Sequence, residues 1–454
     1  MKYSWSKTAF PIAALFSFRM LGLFLLIPVF TLYAAKLNGA TPALIGIALG
    51  AYGLSQGILQ MPFGLLSDKW GRKPIITIGL ILFTLGSIIG ALSHSIYGII
   101  LARILQGTGA IGSVLIALLA DLTPDKDRTK AMAVIGMTIG ISFSLAMVIS
   151  PALSSRFGLS GIFYLTAFLA IIGLILLHLI IPTPIKECFH SDSETNPALF
   201  KSVITDTQLL RLNLGIFCQH FILTSTFFVI PLILSEHIQQ RHLQQPWHFY
   251  LSIMVLAFIF MIPFIIYGEK KGKIKLVYLG SVLGTGLTQY LLNNTYQNWF
   301  ALYTLMFLYF VAFNILEALL PSQISKQANP KSKGTAMGVY STSQFLGIFV
   351  GGSISGFIYQ WHGQAGIFIS NTILSLIWFI VSCSMKPNSA FATLIIPYPS
   401  KDPAERALID RLMKLPGMRE VLLAKEEEVI YLRIDKTLYH EGSAEALLKN
   451  ICTA

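Results

Sequence analysis

The feature that most constrains the fold of this chain is a succession of apolar runs, most of about twenty residues or more, from near residue 10 to near residue 385. A helix needs about 20 apolar residues to cross the roughly 30 Å hydrocarbon core of a bilayer. Apolar residues occupy 54% of the 454 positions, and most of these runs lack the polar face that a helix of a soluble core would need. The sequence therefore predicts a polytopic membrane protein.

The runs predict twelve transmembrane helices. Their approximate bounds are 10–35, 43–66, 75–93, 96–121, 130–155, 159–181, 209–235, 248–267, 275–293, 298–323, 334–360 and 364–385. The first run is longer than the apolar region of a cleavable signal peptide, so we expect an uncleaved first helix.

The distribution of Lys and Arg predicts the orientation of these helices. Loops on the side of the N-terminus hold eighteen such residues and the opposite loops hold three. Because positive residues concentrate on the cytoplasmic side, both termini are expected in the cytoplasm. The same bias accounts for the net charge of +12. The charge is spread over many short loops and does not form one basic face, so nucleic acid is not an expected partner.

No cofactor or metal is predicted. The cysteines Cys188, Cys218, Cys383 and Cys452 are scattered without CxxC spacing, which predicts neither a zinc site nor a disulfide framework. The sequence contains no phosphate-binding loop of the form GxxxxGK[ST], so nucleotide hydrolysis is not predicted as an energy source. We expect a protein that is not an enzyme.

A change of composition marks a soluble tail. From Asn388 onward 28% of the residues are charged, against 9% before it. The stretches ATLIIPY, DPAERALIDRLMKLPG, REVLLAKEEEVIYLRID and SAEALLKN predict a strand, a helix, a β-hairpin and a helix. This order looks like a small ferredoxin-like α+β module without its last strand, similar in outline to heavy-metal-associated domains. Its first loop, YPSKDP, lacks the CxxC of those domains, so binding of a soft metal is not predicted.

The transmembrane part contains an internal repeat. PFGLLSDKWGRKP aligns without gaps with PFIIYGEKKGKIK, RTKAMAV with KGTAMGV, and LIPVF with VIPLI, at offsets between 201 and 205 residues. Nearly equal offsets predict two six-helix halves in parallel topology. The predicted domains are a first half over 1–181, a cytoplasmic linker over 182–208, a second half over 209–387 and the soluble module over 388–454. Within the linker, ALFKSVI predicts a short interfacial helix.

Two motifs resemble those of the major facilitator superfamily. GLLSDKWGRKP resembles its motif A, and RILQGTGA in the fourth predicted helix resembles its motif B. The first helix FSFRMLGLFLLIPVF, the junction KGTAMGVYSTSQFLG and the tail resemble the YajR-type group of bacterial transporters, which is placed with drug/proton antiporters. The resemblance implies an all-α membrane fold of two pseudo-symmetric six-helix bundles, followed by the α+β tail.

The resemblance also implies a cytoplasmic latch. In the family, the residue at Asp68 engages the start of the eleventh helix, here residues 333–335, and the residue at Arg72 pairs with an acid at the end of the fourth, here Asp121. Glycines at this junction would permit a tight turn. Protonation of Asp68 would weaken the latch and couple proton movement to rocking of the halves; alternatively, these charges only enforce topology. The predicted latch residues are Gly64, Asp68, Lys69, Gly71, Arg72, Lys73, Asp121 and Arg128.

Ionisable side chains at bilayer depth are few. Each costs about 2.5–3.5 kcal/mol on insertion scales, so such residues usually face a partner or a cavity. They fall in the first, fourth, seventh and tenth predicted helices, which line the central cavity in the family. Together with five amides they form the predicted cavity set: Arg19, Gln56, Gln60, Arg103, Gln106, His220, Asn314, Glu317 and Gln344.

Glu317 is the first candidate for the proton carrier, because it is the one acid at this depth, about 10 Å from the helix end. A buried carboxyl near a cation can titrate near neutrality. His220 is the second candidate, because an unperturbed imidazole titrates near 6.5. The alternatives are a static pair between Glu317 and Arg19, a packing role for His220, and a role for Arg103 in organising the fourth helix.

The resemblance implies a proton-coupled secondary transporter of the bacterial inner membrane, driven by an ion gradient and most simply an exporter. The fifth helix keeps Pro151 of the antiporter motif C but replaces its glycines with other small residues. Arg19 stands where typical multidrug members have an acid. An importer of a small polar solute and a membrane sensor that signals through the tail remain alternatives. The expected partners are membrane lipid, protons and an unidentified small molecule, and the protein is expected to act as a monomer.

Overall fold

The computed structural model describes residues 5–123, 125–184, 197–240, 243, 245–329, 332–385, 391–397, 405–424, 429–435, 438–440 and 442–452. Within them, eight helical segments are long and apolar enough to cross a membrane. That number leaves the twelve predicted transmembrane helices as a prediction.

The helices before the tail are α1 (Trp5–Phe24), α2 (Phe30–Ala34), α3 (Pro42–Trp70), α4 (Arg72–Leu92), α5 (Ile96–Thr108), α6 (Gly112–Leu122), α7 (Asp125–Leu179), α8 (Phe200–Thr205), α9 (Thr207–Gln239), α10 (Pro246–Lys270), α11 (Ile274–Thr295), α12 (Trp299–Gln327) and α13 (Lys333–Cys383).

Two predicted spans are interrupted in the structure. The first divides into α1 and α2 around Pro28, whose nitrogen carries no hydrogen and therefore cannot continue the helical hydrogen bonds. Ser150, at a glycine position of motif C, donates its hydroxyl to the carbonyl oxygen of Leu25 beside this break. The fourth predicted span divides into α5 and α6 over residues 109–111.

The repeat is visible in the backbone. The longest helices, α7 and α13, bend at Gly158, with φ 63°, and at Gly363, with φ 61°. A positive φ is available to glycine at little cost and is strained for other residues. These two glycines are 205 residues apart, and Gly71 and Gly272, both with positive φ, are 201 apart. The nearly equal spacings support the predicted parallel repeat.

Two lysines make the same contact in the two halves. Nζ of Lys73 donates to the carbonyl oxygen of Ile181 at 2.5 Å. Nζ of Lys275 donates to the carbonyl oxygen of Met385 at 2.5 Å. Each lysine therefore joins the start of the third helix of its half to the chain just beyond the last helix.

The two halves meet along a glycine seam, which comprises Gly46 and Gly50 of α3 and Gly352 and Gly356 of α13. A Cβ on Gly46 would lie 2.4 Å from the carbonyl oxygen of Gly352, and a Cβ on Gly50 would lie 2.6 Å from that of Phe349. No side chain fits there, so the helices touch through their backbones. We call the end of the bundle that carries the motif A junction the latch end and the opposite end the far end; the seam lies toward the far end.

The linker contains a short helix, as predicted. A 3₁₀ turn over Pro197–Leu199 precedes α8. Asp206 then caps α9, because its Oδ1 accepts hydrogen bonds from the backbone N–H groups of Gln208 and Leu209. Such a cap satisfies donors that the first helical turn leaves free.

The tail shows the predicted order of elements: β1 (Phe391–Pro397), α14 (Glu405–Met413), β2 (Met418–Ala424), β3 (Val429–Asp435) and α15 (Ser443–Cys452). The strands form an antiparallel sheet in the order β1-β3-β2. Its core includes the buried residues Leu412, Ile430 and Leu432. The tail touches the bundle where Asn329 donates to Glu420 at 2.7 Å. Likeness to a ferredoxin and the domain boundaries stay predictions.

Candidate functional site

Two predicted cavity residues of the first half lie together. Arg19 projects from α1 with 3% of its surface exposed. Its Nη2 donates to Oε1 of Gln56 on α3 and lies 3.4 Å from the hydroxyl oxygen of Tyr52. A Cβ on Gly112 of α6 would lie 3.1 Å from Nη1 of Arg19. The guanidinium group is therefore held among α1, α3 and α6 by neutral groups.

Arg103 has a different environment. Its guanidinium carbon lies 4.8 Å from the centre of the Tyr52 ring, in a cation–π contact. Its Nη1 donates to Oε1 of Gln106 at 3.1 Å, and Gln106 donates to the hydroxyl of Ser87 at 2.9 Å. These contacts join α3, α4 and α5, which supports the alternative in which Arg103 organises the fourth predicted helix.

The glycines of motif B permit close approach between helices. A Cβ on Gly107 would lie 2.4 Å from the carbonyl oxygen of Tyr52, and a Cβ on Gly109 would lie 2.4 Å from that of Gly79. Backbone atoms cannot give way as a flexible side chain can. Glycine at these positions therefore lets α5 pack against α3 and α4, and this packing places Arg103 over Tyr52.

The second half gathers a carboxylate and three polar side chains. Nε2 of Gln219 donates to Oε2 of Glu317 at 2.9 Å and to the carbonyl oxygen of Phe313 at 3.2 Å. Nε2 of His220 lies 3.9 Å from the same carboxylate oxygen. Nε2 of Gln344 lies 2.8 Å from Nε2 of His220. Helices α9, α12 and α13 thus converge on Glu317, whose side chain is 31% exposed.

The contact between Gln344 and His220 fits a neutral imidazole. An amide nitrogen donates and does not accept, so in this orientation of the amide Gln344 donates to Nε2 of His220. The hydrogen of the ring would then lie on Nδ1. In this arrangement Glu317 can take up a proton directly, whereas His220 must first lose its contact with Gln344.

The static pair between Arg19 and Glu317 is wrong for this structure. Over the described part of the chain, Arg19 bonds to Gln56 and Tyr52, and Glu317 bonds to Gln219 and approaches His220. The other two amides of the predicted set are not joined to either cluster. Gln60 is buried with its Oε1 unpaired among the described residues, and Asn314 is half-buried on α12.

Aromatic side chains connect the halves beside these clusters. Phe143 of α7 stacks against Phe313 of α12 at 5.6 Å between ring centres. Tyr52 lies 6.4 Å from Phe345 of α13. These residues carry no distinguishing signal in the sequence, because Phe and Tyr are common throughout the chain. Gln219 was also missed, although its position beside His220 within an apolar run was a usable signal.

At the latch end, Arg72 bridges two helices. Its Nε donates to Oδ2 of Asp121 at 3.1 Å, as the resemblance implied, and its Nη1 donates to the hydroxyl of Ser67 at 2.8 Å. The same nitrogen pairs with Asp68. Arg72 and Asp121 are buried, whereas the side chain of Asp68 is 34% exposed.

At three other predicted latch residues, the structure differs from the expectation. Within the described residues, Asp68 makes its ion pair with Arg72 and not with residues 333–335. Gly64 lies inside α3, and a Cβ there would meet one neighbour at an ordinary 3.6 Å, so the turn depends on Gly71, with φ 90°. Lys69 is exposed. The side chain of Arg128 lies outside the described part.

The second half carries a weaker version of this junction. Glu269 stands at the repeat position of Asp68 and lies 3.8 Å from Lys326, which follows Asp121 by 205 residues. Both side chains are largely exposed, at 56% and 42%. Exposed pairs contribute about 0–1 kcal/mol, so the firm charged contact belongs to the first half.

Known proteins share the sequence and the fold of this chain. The family model described as Major Facilitator Superfamily matches residues 12–268 and 212–408. The chain is 42% identical over 443 residues to the inner membrane transport protein YajR of Escherichia coli K12, covering 98% of this chain and 97% of the relative. It is 25% identical over 364 residues to the quinolone resistance protein NorA of Staphylococcus aureus, covering 77% and 89%. The crystal structure of the nucleoside transporter NupG shares its fold with a TM-score of 0.66 at 15% identity, covering 84% and 99%.

Proposed function

Because this chain belongs to the major facilitator superfamily and is an inner-membrane transporter of the YajR type, we propose that it is a proton-coupled secondary transporter. It moves a small molecule by alternating access, in the exporting direction. The observation that carries the proposal is the environment of Glu317, where a deep carboxylate meets neutral partners only. Proton binding there changes the charge of a group on which three helices of one half converge.

Glu317 is the proton carrier in this proposal. Its partner Gln219 donates one hydrogen bond to the ionised carboxylate, and the contact with Gln344 favours a neutral His220. With no cation bound to it among the described residues, the carboxylate depends on the pH and on the solvent that reaches its exposed part. Loss of its charge weakens the hydrogen bond from Gln219, one of the two contacts by which this side chain holds α9 to α12, and this weakening would couple the proton to helix movement.

Twelve spans and two cytoplasmic termini complete the proposal. Counting α5 with α6 as one span, and α7 and α13 as two spans each at their glycine bends, gives twelve with α1, α3, α4, α9, α10, α11 and α12. In the present state the backbones meet toward the far end along the glycine seam, and Asp68 does not reach residues 333–335. If the latch end faces the cytoplasm, a closed far end and an open latch end correspond to an inward-open state. The contact between Asp68 and residues 333–335 would then form in the outward-open state.

The direction of transport rests on weaker support. One relative is named for quinolone resistance, which agrees with export. One observation favours an importer. Arg19 places a buried cation where an exporter of cationic drugs would be expected to have an acid. The sensor alternative draws on the contact between Asn329 and Glu420, which joins the tail to α12.

The test is flux in proteoliposomes with an imposed pH gradient, screened with cationic dyes and small metabolites. Glu317→Gln should abolish accumulation of the substrate driven by the pH gradient, while exchange of the substrate across the membrane at equal pH should be unchanged. The matched control is Glu236→Gln, the same chemical change at an exposed acid of α9, which should behave as wild type. Accumulation by Glu317→Gln at the wild-type rate and with the wild-type pH dependence would refute Glu317 as the carrier.

A further inference from the structure

Arg19 is a buried cation without a counter-ion. Its guanidinium group bonds to an amide oxygen and lies near a phenol oxygen, and its Nε has no hydrogen-bond partner among the described residues. No Asp or Glu of the described part lies within ion-pair distance of it. Burial of an unpaired charge is costly, and a guanidinium group is usually paired where it is buried.

The second buried cation of this half, Arg103, also has an Nε without a hydrogen-bond partner among the described residues, but its surroundings differ. Arg103 lies on the face of Tyr52 and bonds to Gln106, so an aromatic ring and an amide hold it in place. Among the described residues, Arg19 makes no such ring contact. Of the two arginines, Arg103 therefore has a face of its guanidinium group covered by a ring, and Arg19 is the better placed to bind a ligand.

The position of Arg19 suits a ligand that binds between the halves. Its neighbour Tyr52 lies across from Phe345 of the second half. Phe143 and Phe313 stack across the same boundary, and the Phe313 carbonyl belongs to the Gln219 and Glu317 cluster. A cation, aromatic rings and hydrogen-bonding amides thus lie along one boundary.

We infer that Arg19 binds the charged group of the substrate and that the substrate is a small organic anion bearing a carboxylate. A guanidinium group matches a carboxylate with two parallel hydrogen bonds, and the neighbouring rings accept an apolar body. Gln56 and Tyr52 position the guanidinium group in the absence of the ligand. Calling this ligand a substrate rests on the proposed transport function. Binding of the anion at Arg19 depends neither on the direction of transport nor on proton coupling.

The first arm of the test measures binding without any gradient. Purified full-length protein is heated with acetate, benzoate or 1-naphthoate, and with the matched cations ethylammonium, benzylammonium or 1-naphthylmethylammonium, each at about 10 mM to saturate a site of millimolar affinity. Sodium chloride at the same concentration controls for ionic strength. At least one carboxylate should raise the unfolding midpoint, and the cation of the same size should not.

The second arm uses variants at the site. Arg19→Gln should lose the carboxylate-induced shift, and Arg19→Lys should retain part of it. Gln56→Glu supplies an internal carboxylate to Arg19, so it should raise the midpoint without ligand by about 2 °C or more and also lose the shift. The matched control is Gln289→Glu, because Gln289 is equally buried but bonds to the neutral amide of Asn371; this variant should lower the midpoint.

The outcomes separate the two proposals. The inference is overturned if no carboxylate shifts the midpoint, if the matched cations shift it as much, or if the shift survives in both Arg19→Gln and Gln56→Glu. Glu317→Gln should keep the carboxylate-induced shift, because Arg19 is intact. If Glu317→Gln also keeps gradient-driven flux, the proposed proton carrier fails while the anion site stands.

Discussion

His220 and Gln344 are joined at 2.8 Å at the position where the first half joins Ser17 and Ser142 at 2.7 Å between hydroxyl oxygens. Residues 17 and 220 are 203 apart, and residues 142 and 344 are 202 apart, as the repeat requires. Each half therefore ties the same pair of helices together at the same level. Only the contact of the second half contains an ionisable side chain, His220.

His220 is expected to be dispensable for coupling. His220→Gln keeps a group that can bond to Gln344, and a neutral hydrogen bond is worth about 1 kcal/mol. Gradient-driven flux in proteoliposomes should therefore stay within about fivefold of wild type. A loss as complete as that in Glu317→Gln would instead make His220 part of the proton path.

The buried latch pair should contribute strongly to stability. Asp121→Asn leaves Asp68 as the acid that pairs with the buried guanidinium of Arg72 among the described residues, and loss of one partner of a buried pair costs about 3–5 kcal/mol when nothing replaces it. We expect a loss of about 2–3 kcal/mol, measured by denaturant unfolding in detergent. Glu269→Gln, at the exposed pair with Lys326, is the control and should change stability by less than about 0.5 kcal/mol. Equal losses in the two variants would show that burial does not decide the strength of these pairs.

The two glycines of motif A should differ in their tolerance of a side chain. Gly71→Ala forces alanine to φ 90°, which costs about 1–2 kcal/mol. Gly64→Ala adds a methyl group inside a helix at an ordinary contact distance, so it should be neutral or stabilising by up to about 1 kcal/mol. Thermal unfolding of both variants checks the difference, and a larger loss in Gly64→Ala would be inconsistent with the described helix.

The glycine seam should control the balance between states. Gly50→Ala places a methyl group 2.6 Å from the carbonyl oxygen of Phe349, which α3 and α13 can accommodate only by moving apart. A cysteine introduced near the seam should then react faster with a water-soluble maleimide from the far end. The control is Gly140→Ala on α7, where a Cβ meets nothing within 4 Å. In this variant the cysteine near the seam should be labelled at the same rate as without the substitution. Equal labelling in Gly50→Ala and wild type would mean that the seam does not hold the far end closed.

The fold was largely predictable because its signals are local and periodic. Long apolar runs gave the spans, and the offset between Gly158 and Gly363 follows from the same repeat that aligns the motif A stretches. The break at Pro28 was missed, because a proline inside an apolar run predicts either a kink or an end, and only the tertiary contact with Ser150 fixes the outcome.

The site was predictable in its residue types but not in its pairing. Arg19, Arg103, His220 and Glu317 stand out because charges within apolar runs are rare. Which of them meet depends on helix rotation and on the distance between the halves, which no spacing in the sequence specifies. The pairing of Arg19 with Gln56, and of Glu317 with Gln219, could therefore be seen only in three dimensions.

The glycine seam has a consequence for how the halves separate. Two bare backbones in contact have no side-chain rotamers to rearrange and no ion pairs to break, and their carbonyl oxygens stay bonded within their own helices when the surfaces part. Opening this end costs dispersion contacts alone. The charged cluster of Arg72, Asp68 and Asp121 at the latch end lies within the first half, so in the proposed cycle the halves would part at the seam without exchanging any of its ion pairs.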